Sequence, residues 1–150
     1  MDQFDREKAQ RVWRRVQGER TELSPNPLLQ PNPEGLLLEE LTDIRLLQQL
    51  SKQKKDPVAG ALRTLVSQAQ NRAYALRGIC QLSSLTPPAS LPRLDGPELS
   101  IGLRRLMGRL LRRRQEYHRL ADQPEYGVIY EALGHETADS ILTLVRLIGR

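Results

Sequence analysis

The stretch DPVAGALRTLVSQAQNRAYALRGI, residues 56–79, decides the fold class of this chain. Its apolar residues recur at spacings of three and four, which puts them on one face of a helix; they are Leu62, Leu65, Ala69, Leu76 and Ile79. Asp56 and Pro57 precede the pattern, and an N-cap residue followed by proline at the first helical position is a typical helix start. We therefore predict a helix, named B, from Asp56 to about Ser83.

Three further segments have the same periodicity and lie between prolines, which end or begin helices. We predict helix A over residues 34–51, helix C over 95–121 and helix D over 122–149. The predicted start of helix D rests on Asp122 and Glu125, which have the spacing of a capping box. Leucine dominates the composition, and only 4% of the residues are aromatic, which favours helices over sheets. The sequence therefore predicts an all-α fold.

The lengths of the connections predict the topology. Helices A and B are joined by a short connection, as are C and D, and short connections make neighbouring helices antiparallel. The B–C connection, SLTPPASLPRLDG, is long and proline-rich. A dozen extended residues reach roughly 40 Å, which is about the length of one of these helices. Over residues 36–150 we therefore predict a four-helix bundle in which a long B–C crossover joins two antiparallel hairpins.

The segment before the bundle has two parts. Residues 1–23 contain an amphipathic stretch, for which we predict a short helix; its apolar face consists of Phe4, Val12, Trp13 and Val16. Residues 24–35, SPNPLLQPNPEG, have the composition of an extended linker. The polar start MDQFDREK has no secretory signal, and no apolar run approaches the length of a membrane span. We therefore expect a cytoplasmic location and no membrane span.

Overall composition excludes several kinds of site. The chain has 150 residues, a formal net charge of +5 and a single cysteine. One cysteine cannot form a disulfide framework within the chain or a multi-cysteine zinc or iron–sulfur site. The motif HETAD, which begins at His135, lacks the second histidine of the zinc-protease motif H-E-x-x-H, so we do not predict a zinc hydrolase.

Polar residues interrupt the apolar stripes near the middle of three predicted helices. They are Glu40 on helix A, Arg72 on helix B, and Thr137 and Ser140 on helix D. A lone buried charge is very unfavourable, so Glu40 and Arg72 must each find a partner or reach water. Two interpretations remain open: a buried Glu40–Arg72 pair, or a broader stripe from which both side chains reach solvent. On the first interpretation, a buried ion pair joins helices A and B.

Four segments and the long crossover together resemble the ferritin-like superfamily, in particular its small rubrerythrin-related bacterial proteins. The segments are EELTDIRLLQQLSK in helix A, NRAYALRGI in B, LRRLMGRLL in C and PEYGVIYEALGHETADSILTLVRLIG in D. The resemblance covers nearly all of the chain after Gly35 and implies a ferritin-like four-helix bundle. It also favours a homodimer, in which the apolar face around Trp13 would find a surface to cover; that face could equally fold back on its own bundle.

The resemblance implies a specific site at mid-bundle, where family members hold two metal ions. One Glu comes from each of two helices and a Glu-x-x-His pair from each of the other two. Carried over by position, the ligands of helices A to D fall on Glu40, on Ala69 and Arg72, on Leu110, and on Thr137 and Ser140. Iron and manganese need several converging oxygen and nitrogen ligands. The resemblance therefore implies a degenerate metal site at which Glu40, Arg72, Thr137 and Ser140 form a buried polar cluster, and we predict no cofactor and no catalytic residue.

An alternative assignment keeps the metal. A shift of one residue in helix D replaces the last pair by Glu136 and Asp139. With Glu40 and Asp43 these residues would give four carboxylates, the ligand set of a divergent iron or manganese oxidoreductase. Helices B and C supply no ligand in this register. We therefore expect a structural or interaction protein, with the dimetal enzyme as the alternative.

Helix C carries an unusual concentration of positive charge. Its predicted basic face consists of Arg104, Arg105, Arg109, Arg112, Arg113 and Arg114, and Glu116 is the one acidic residue between Arg104 and Ala121. Such a helix can bind nucleic-acid phosphates or anionic lipid. It can also meet acidic residues of helix A or of a partner subunit. Aromatic residues for base stacking are absent apart from Tyr117, so nucleic-acid binding is the less favoured alternative.

Overall fold

A computed structural model of the chain describes residues 32–52, 54–86, 91 and 97–149. Over these ranges it contains four α-helices and no strand: α1 is Pro33–Lys52, α2 is Val58–Leu82, α3 is Leu99–Leu120 and α4 is Gly127–Ile148. They correspond to the predicted helices A to D, and the predicted all-α class is confirmed. The predicted helix over residues 1–23 lies outside the described residues, as does nearly all of the predicted linker over 24–35.

The helix starts differ from those predicted. Asp56 does not cap α2: its carboxylate accepts a hydrogen bond from Arg63 Nη2 at 3.0 Å, and the N-cap residue is Pro57, which makes no side-chain cap bond. The cap of α1, by contrast, is a side chain, because Asn32 Oδ1 accepts a hydrogen bond from the backbone N–H of Gly35 at 2.6 Å. A side-chain acceptor satisfies one of the N–H groups that a helix leaves unpaired at its first turn.

Helix α4 begins five residues later than predicted. The proposed capping box at Asp122 is wrong, because residues 121–126 form turns and the N-cap residue is Tyr126. A close backbone approach marks the start of the helix: a Cβ atom added to Gly127 would lie 2.4 Å from the carbonyl oxygen of Ala121. Only glycine fits at this point, and α4 therefore begins beside the last turn of α3.

The core consists of two apolar clusters. The first joins the start of α1 to the end of α2, the end of α3 and the start of α4; its members include Leu37, Leu76, Leu120 and Tyr130. The second joins the opposite helix ends and includes Leu47, Leu62, Leu106 and Leu144. The spacing in helix D predicts an apolar stripe of Tyr130, Leu133, Thr137, Leu144 and Ile148. At the second end the structure instead buries Leu147 and leaves Ile148 41% exposed, so the stripe is shifted by one residue there.

The positions of these clusters define the helix directions. Each cluster combines the start of two helices with the end of the other two, so α1 and α4 run in one direction and α2 and α3 in the other. Side-chain contacts agree: Leu50 lies beside Gly102, whereas Glu40 bonds to Tyr117, so α1 and α3 are antiparallel. Helix α2 ends in the first cluster and α3 begins in the second. The end of α2 at Leu82 and the start of α3 at Leu99 therefore lie at opposite ends of the bundle.

No helix among the described residues is both long enough and apolar enough to cross a lipid bilayer.

We expect Gly127→Ala to lower the free energy of unfolding by about 1–3 kcal/mol, because its new methyl group collides with the Ala121 carbonyl and not with a flexible side chain. Gly108→Ala is the matched control: it lies within α3, and nothing is within 4 Å of its added Cβ atom. That change should stabilise the protein by about 0.4–1 kcal/mol. Urea unfolding of both variants measures the difference, and equal effects would contradict the close approach at Gly127.

Candidate functional site

Between the two apolar clusters, the middle of the bundle contains a layer of buried charges. We define the ionic layer as Glu40 and Asp43 from α1, Arg72 from α2 and Arg113 from α3; each of these residues is at most 1% exposed. Thr137 and Ser140 of α4 are buried at the same level of the bundle. Since ionised groups are almost never fully buried unless they are paired, the pairing within this layer decides its properties.

Glu40 is the centre of the ionic layer. Its Oε1 accepts hydrogen bonds from Arg72 Nε at 2.9 Å and from the Tyr117 hydroxyl at 2.8 Å. Its Oε2 lies 3.1 Å from Arg113 Nη1, an ion pair whose angles fall outside hydrogen-bond geometry. One carboxylate on α1 is thus held by side chains from both neighbouring helices.

Asp43 lies one turn further along α1 and completes the pairing of Arg113. Its Oδ2 accepts a hydrogen bond from Arg113 Nη2, and its Oδ1 accepts one from Arg109 Nε at 2.8 Å. Arg109 remains 29% exposed, so this second cation reaches water. Arg113 therefore bridges two carboxylates with its terminal nitrogens, an arrangement that the planar guanidinium fork allows and a lysine ammonium does not.

Arg72 connects α2 to both of its neighbours. Beyond its bond to Glu40, its Nη1 donates to Ser140 Oγ at 2.7 Å and to the backbone carbonyl of Glu136 at 3.3 Å. Ser140 Oγ in turn donates to Gln68 Oε1 at 2.9 Å. Arg72 thereby continues the polar network from α1 through α2 to α4.

The charges of the ionic layer cancel: two carboxylates face two guanidinium groups. Burial by itself lowers the pKa of Arg113, but the carboxylates of Asp43 and Glu40 raise it more, so the net pKa lies above its ordinary value. Burial, and then the charge of Glu40, raise the pKa of Tyr117 well above its ordinary value, so its hydroxyl stays a neutral donor. The layer is a set of paired ions around a neutral phenol.

A fifth carboxylate–arginine contact lies at the edge of the layer. Glu39 accepts a hydrogen bond from Arg112 Nη2; the side chain of Glu39 is 6% exposed and that of Arg112 is 43% exposed. Burial raises the pKa of Glu39 above its ordinary value even though Arg113 and Arg112 act to lower it. Ionised Glu39 is thus less favourable in the folded chain than in water.

The predicted polar cluster can now be located residue by residue. Glu40, Arg72 and Ser140 are joined by hydrogen bonds through Arg72, and none of them reaches solvent. Thr137 is buried beside them, but its hydroxyl donates to the backbone carbonyl of Leu133 at 2.8 Å within its own helix. Thr137 therefore fills space in the layer without entering its hydrogen-bond network.

The alternative set of four carboxylates is not brought together. Glu40 and Asp43 are buried, whereas the side chains of Glu136 and Asp139 are exposed on α4. Across the described residues, no group of three or more His, Cys, Asp or Glu side chains is arranged to hold a metal ion. His135 of the HETAD motif is exposed, 4.0 Å from Glu131 Oε1, and Cys80 is buried with a pKa that burial raises.

The predicted basic face of helix C needs a correction. Arg113 does not lie on it, because its side chain is fully buried between Glu40 and Asp43. Arg109 and Arg112 turn towards acidic residues of α1, which leaves Arg104, Arg105 and Arg114 exposed. Much of the charge of this helix therefore holds α3 against α1.

One sequence signal could have identified Arg113. The buried residues of α3 include Leu106, Leu110, Arg113, Tyr117 and Leu120, which follow the spacing four, three, four, three. The apolar residues of this helix alone predict a stripe of Leu103, Leu106, Leu110, Tyr117 and Leu120, which leaves a gap of seven between Leu110 and Tyr117 that one inward residue must fill. Since buried arginine is rare, an arginine in a basic run is normally assigned to solvent.

No protein-family model, curated protein or solved structure matches this chain. The case for a function therefore rests on the geometry of the ionic layer and its surroundings.

We expect Arg113→Met to lower the free energy of unfolding by about 3–5 kcal/mol, because it leaves two buried carboxylates short of a partner. Arg114→Met, at the neighbouring exposed position, should change it by less than about 0.5 kcal/mol. Arg113→Lys should be intermediate, since it keeps the charge but reaches one carboxylate at a time. Urea unfolding gives all three values, and equal losses at positions 113 and 114 would contradict the buried pairing.

The raised pKa of Glu39 predicts a dependence on pH. A carboxyl group with a raised folded-state pKa takes up a proton more readily in the folded chain than in the unfolded chain, so its ionised form weakens the fold at neutral pH. Glu39→Gln should therefore raise the midpoint of urea unfolding at pH 7. The gain should vanish below the ordinary carboxyl pKa of 4.5. Glu125→Gln, on the surface, is the control. The prediction is contradicted if the stability of the Glu39→Gln variant, relative to the parent, is lower at pH 7 than at pH 4.

Proposed function

We propose that this chain is a ferritin-like bundle in which buried ion pairs have taken the place of a dimetal centre, and that it acts as a structural or interaction protein and not as an enzyme. The observation that carries this proposal is the pairing of Arg72 and Arg113 with Glu40 and Asp43 at mid-bundle. Bacterial and homodimeric character follow from the resemblance in sequence, and a cytoplasmic location follows from the polar N-terminal sequence; all three stay predictions.

The topology supports the first part of the proposal. Two antiparallel hairpins with a connection that spans the bundle form one of the standard four-helix arrangements, and ferritin-like folds use it. The polar residues occupy the level at which such folds carry their metal ligands. Glu40 of α1, Arg72 of α2 and the pair Thr137 and Ser140 of α4 lie at this level, between the two apolar clusters.

The residues in the layer do not fit a pair of metal ions. Arginine is always protonated and has no lone pair for a metal, so Arg72 and Arg113 are not ligands. The oxygens of Glu40 and Asp43 that could bind a cation already face guanidinium nitrogens, at 2.9 Å for Arg72 and 2.7 Å for Arg109. The two guanidinium groups supply positive charge where the family holds metal.

The same geometry supports a structural role. The ionic layer and its hydrogen bonds connect α1 to α2 and α3, and α2 to α4. A fully paired polar layer favours one helix register, because any slip separates buried charges. A bundle fixed in this way offers constant outer surfaces, which is what an interaction protein requires.

Metal content distinguishes this proposal from the dimetal alternative. Protein purified without chelators should contain iron, manganese and zinc at far below one ion per chain by elemental analysis, and a chelator should leave its thermal midpoint unchanged. Stoichiometric metal, together with a loss of stability on chelation, would overturn the proposal.

Two matched substitutions test the role of the carboxylates. Glu40→Gln should cost about 2–4 kcal/mol of unfolding free energy, since it removes the anion that faces both buried arginines. Glu136→Gln should change it by less than about 0.5 kcal/mol, because that side chain is exposed. Thermal and urea unfolding measure both, and a tolerated Glu40→Gln would show that the ion pairs do not hold the bundle.

A further inference from the structure

One half of the α3–α4 hairpin carries arginines and exposed aliphatic side chains but no acidic residue. This half comprises residues 99–112 of α3 and 140–149 of α4, whose sequences are LSIGLRRLMGRLLR and SILTLVRLIG. We define its arginine–aliphatic face as Ile101, Arg104, Leu111, Leu142, Val145 and Arg146, all of which are exposed. The nearest acidic residues along the chain, Glu98 and Asp139, border the face.

Helix geometry places these residues on one side of the hairpin. Gly134 of α4 packs beside Tyr117 of α3, at 3.7 Å from an added Cβ atom. Because the two helices are antiparallel and rise equally per residue, α4 beyond Gly134 runs alongside α3 before Tyr117. Leu142 and Val145 lie eight and eleven residues after Gly134, so they follow the side of α4 that faces α3. Ile101, Arg104 and Leu111 are related by three and seven residues and share the outer side of α3.

The four aliphatic side chains of this face are all accessible to solvent. Ile101, Leu111, Leu142 and Val145 are between 45% and 51% exposed. Single exposed aliphatic residues are ordinary, but a group of them within one face marks a surface that binds something. The four side chains come from two helices that pack side by side.

The arginines of the face are available for an external partner. Arg104 and Arg146 form no ion pair with any of the described residues, in contrast to Arg109 and Arg112, which are held by acids of α1. The face therefore has positive charge only. A second copy of the same face would bring like charges together, which opposes self-association there.

We propose that the arginine–aliphatic face binds the surface of an anionic lipid bilayer. A face with charge of one sign, spread over two helices, matches a partner whose surface is uniformly negative. Arginines attract the lipid phosphates while aliphatic side chains enter the boundary between headgroups and acyl chains. Nucleic acid shares the phosphates, but the face has no aromatic side chain on which a base could stack, and its four aliphatic residues have no role against a sugar–phosphate backbone.

Vesicle sedimentation tests the proposal on the full chain. We expect the protein to sediment with vesicles of equal parts phosphatidylcholine and phosphatidylglycerol, and not with vesicles of phosphatidylcholine alone. Binding should fall steeply between about 0.05 M and about 0.5 M salt, as surface charges are screened. The double variant Arg104→Glu with Arg146→Glu should bind at least about tenfold more weakly, since each arginine near a charged bilayer contributes about fivefold or more.

Two further double variants separate the effect of the face on binding from the effect of net charge. Arg45→Glu with Arg77→Glu makes the same change in charge at exposed positions of α1 and α2, and it should weaken binding by less than about threefold. Leu142→Ser with Val145→Ser keeps the charge and should still weaken binding severalfold. The proposal is overturned if the anionic vesicles are not bound, or if the Arg45 and Arg77 control loses as much as the variant of the face. It is also overturned if a DNA duplex displaces the vesicles and binds the Leu142 and Val145 variant normally, which would identify nucleic acid as the partner.

Discussion

Two guanidinium groups buried in the middle of a leucine-rich bundle impose the constraint on which the rest of the structure depends. Neither Arg72 nor Arg113 reaches water, so each must meet a carboxylate within hydrogen-bond distance. Both carboxylates come from α1, one turn apart, while the arginines come from the two helices beside it. The two hairpins can therefore associate in only one register, with the apolar clusters above and below the charges providing most of the stabilisation.

The ionic layer also limits the chemistry that the interior can perform. Glu40 and Asp43 have their oxygens directed at nitrogen atoms that never lose their protons, and Tyr117 stays neutral beside them. A buried set of this kind is a fixed arrangement of charge in which the carboxylate oxygens already face cations. In the ferritin-like bundle that we propose, the position of the metal centre is kept, and buried ion pairs take the place of the metal ions.

Much of the fold follows from the sequence, and the reasons for the exceptions are physical. The spacing of leucines is a local property, and the predicted helices accordingly match α1 to α4 apart from their ends. The interruption of the stripes by Glu40 and Arg72 was equally visible. The gap of seven between Leu110 and Tyr117 marks an inward position on α3, but an arginine can fill it only because Glu40 and Asp43 lie across the bundle, which no local pattern contains. The start of α4 at Gly127 likewise depends on a backbone contact with Ala121, because a capping motif states only that a helix can begin there.

The bridging of Glu40 and Asp43 by Arg113 has a consequence for how this sequence can change over generations. Loss of any one member strands a charge inside the bundle, whereas loss of a matched cation and anion together leaves an apolar or neutral site. Single substitutions at these positions are therefore selected against, whereas paired substitutions that remove one cation and one anion together are tolerated. Descendants of this chain should retain the whole quartet or exchange its members in complementary pairs, so that covariation between positions 40, 43, 72 and 113 records the physical contact.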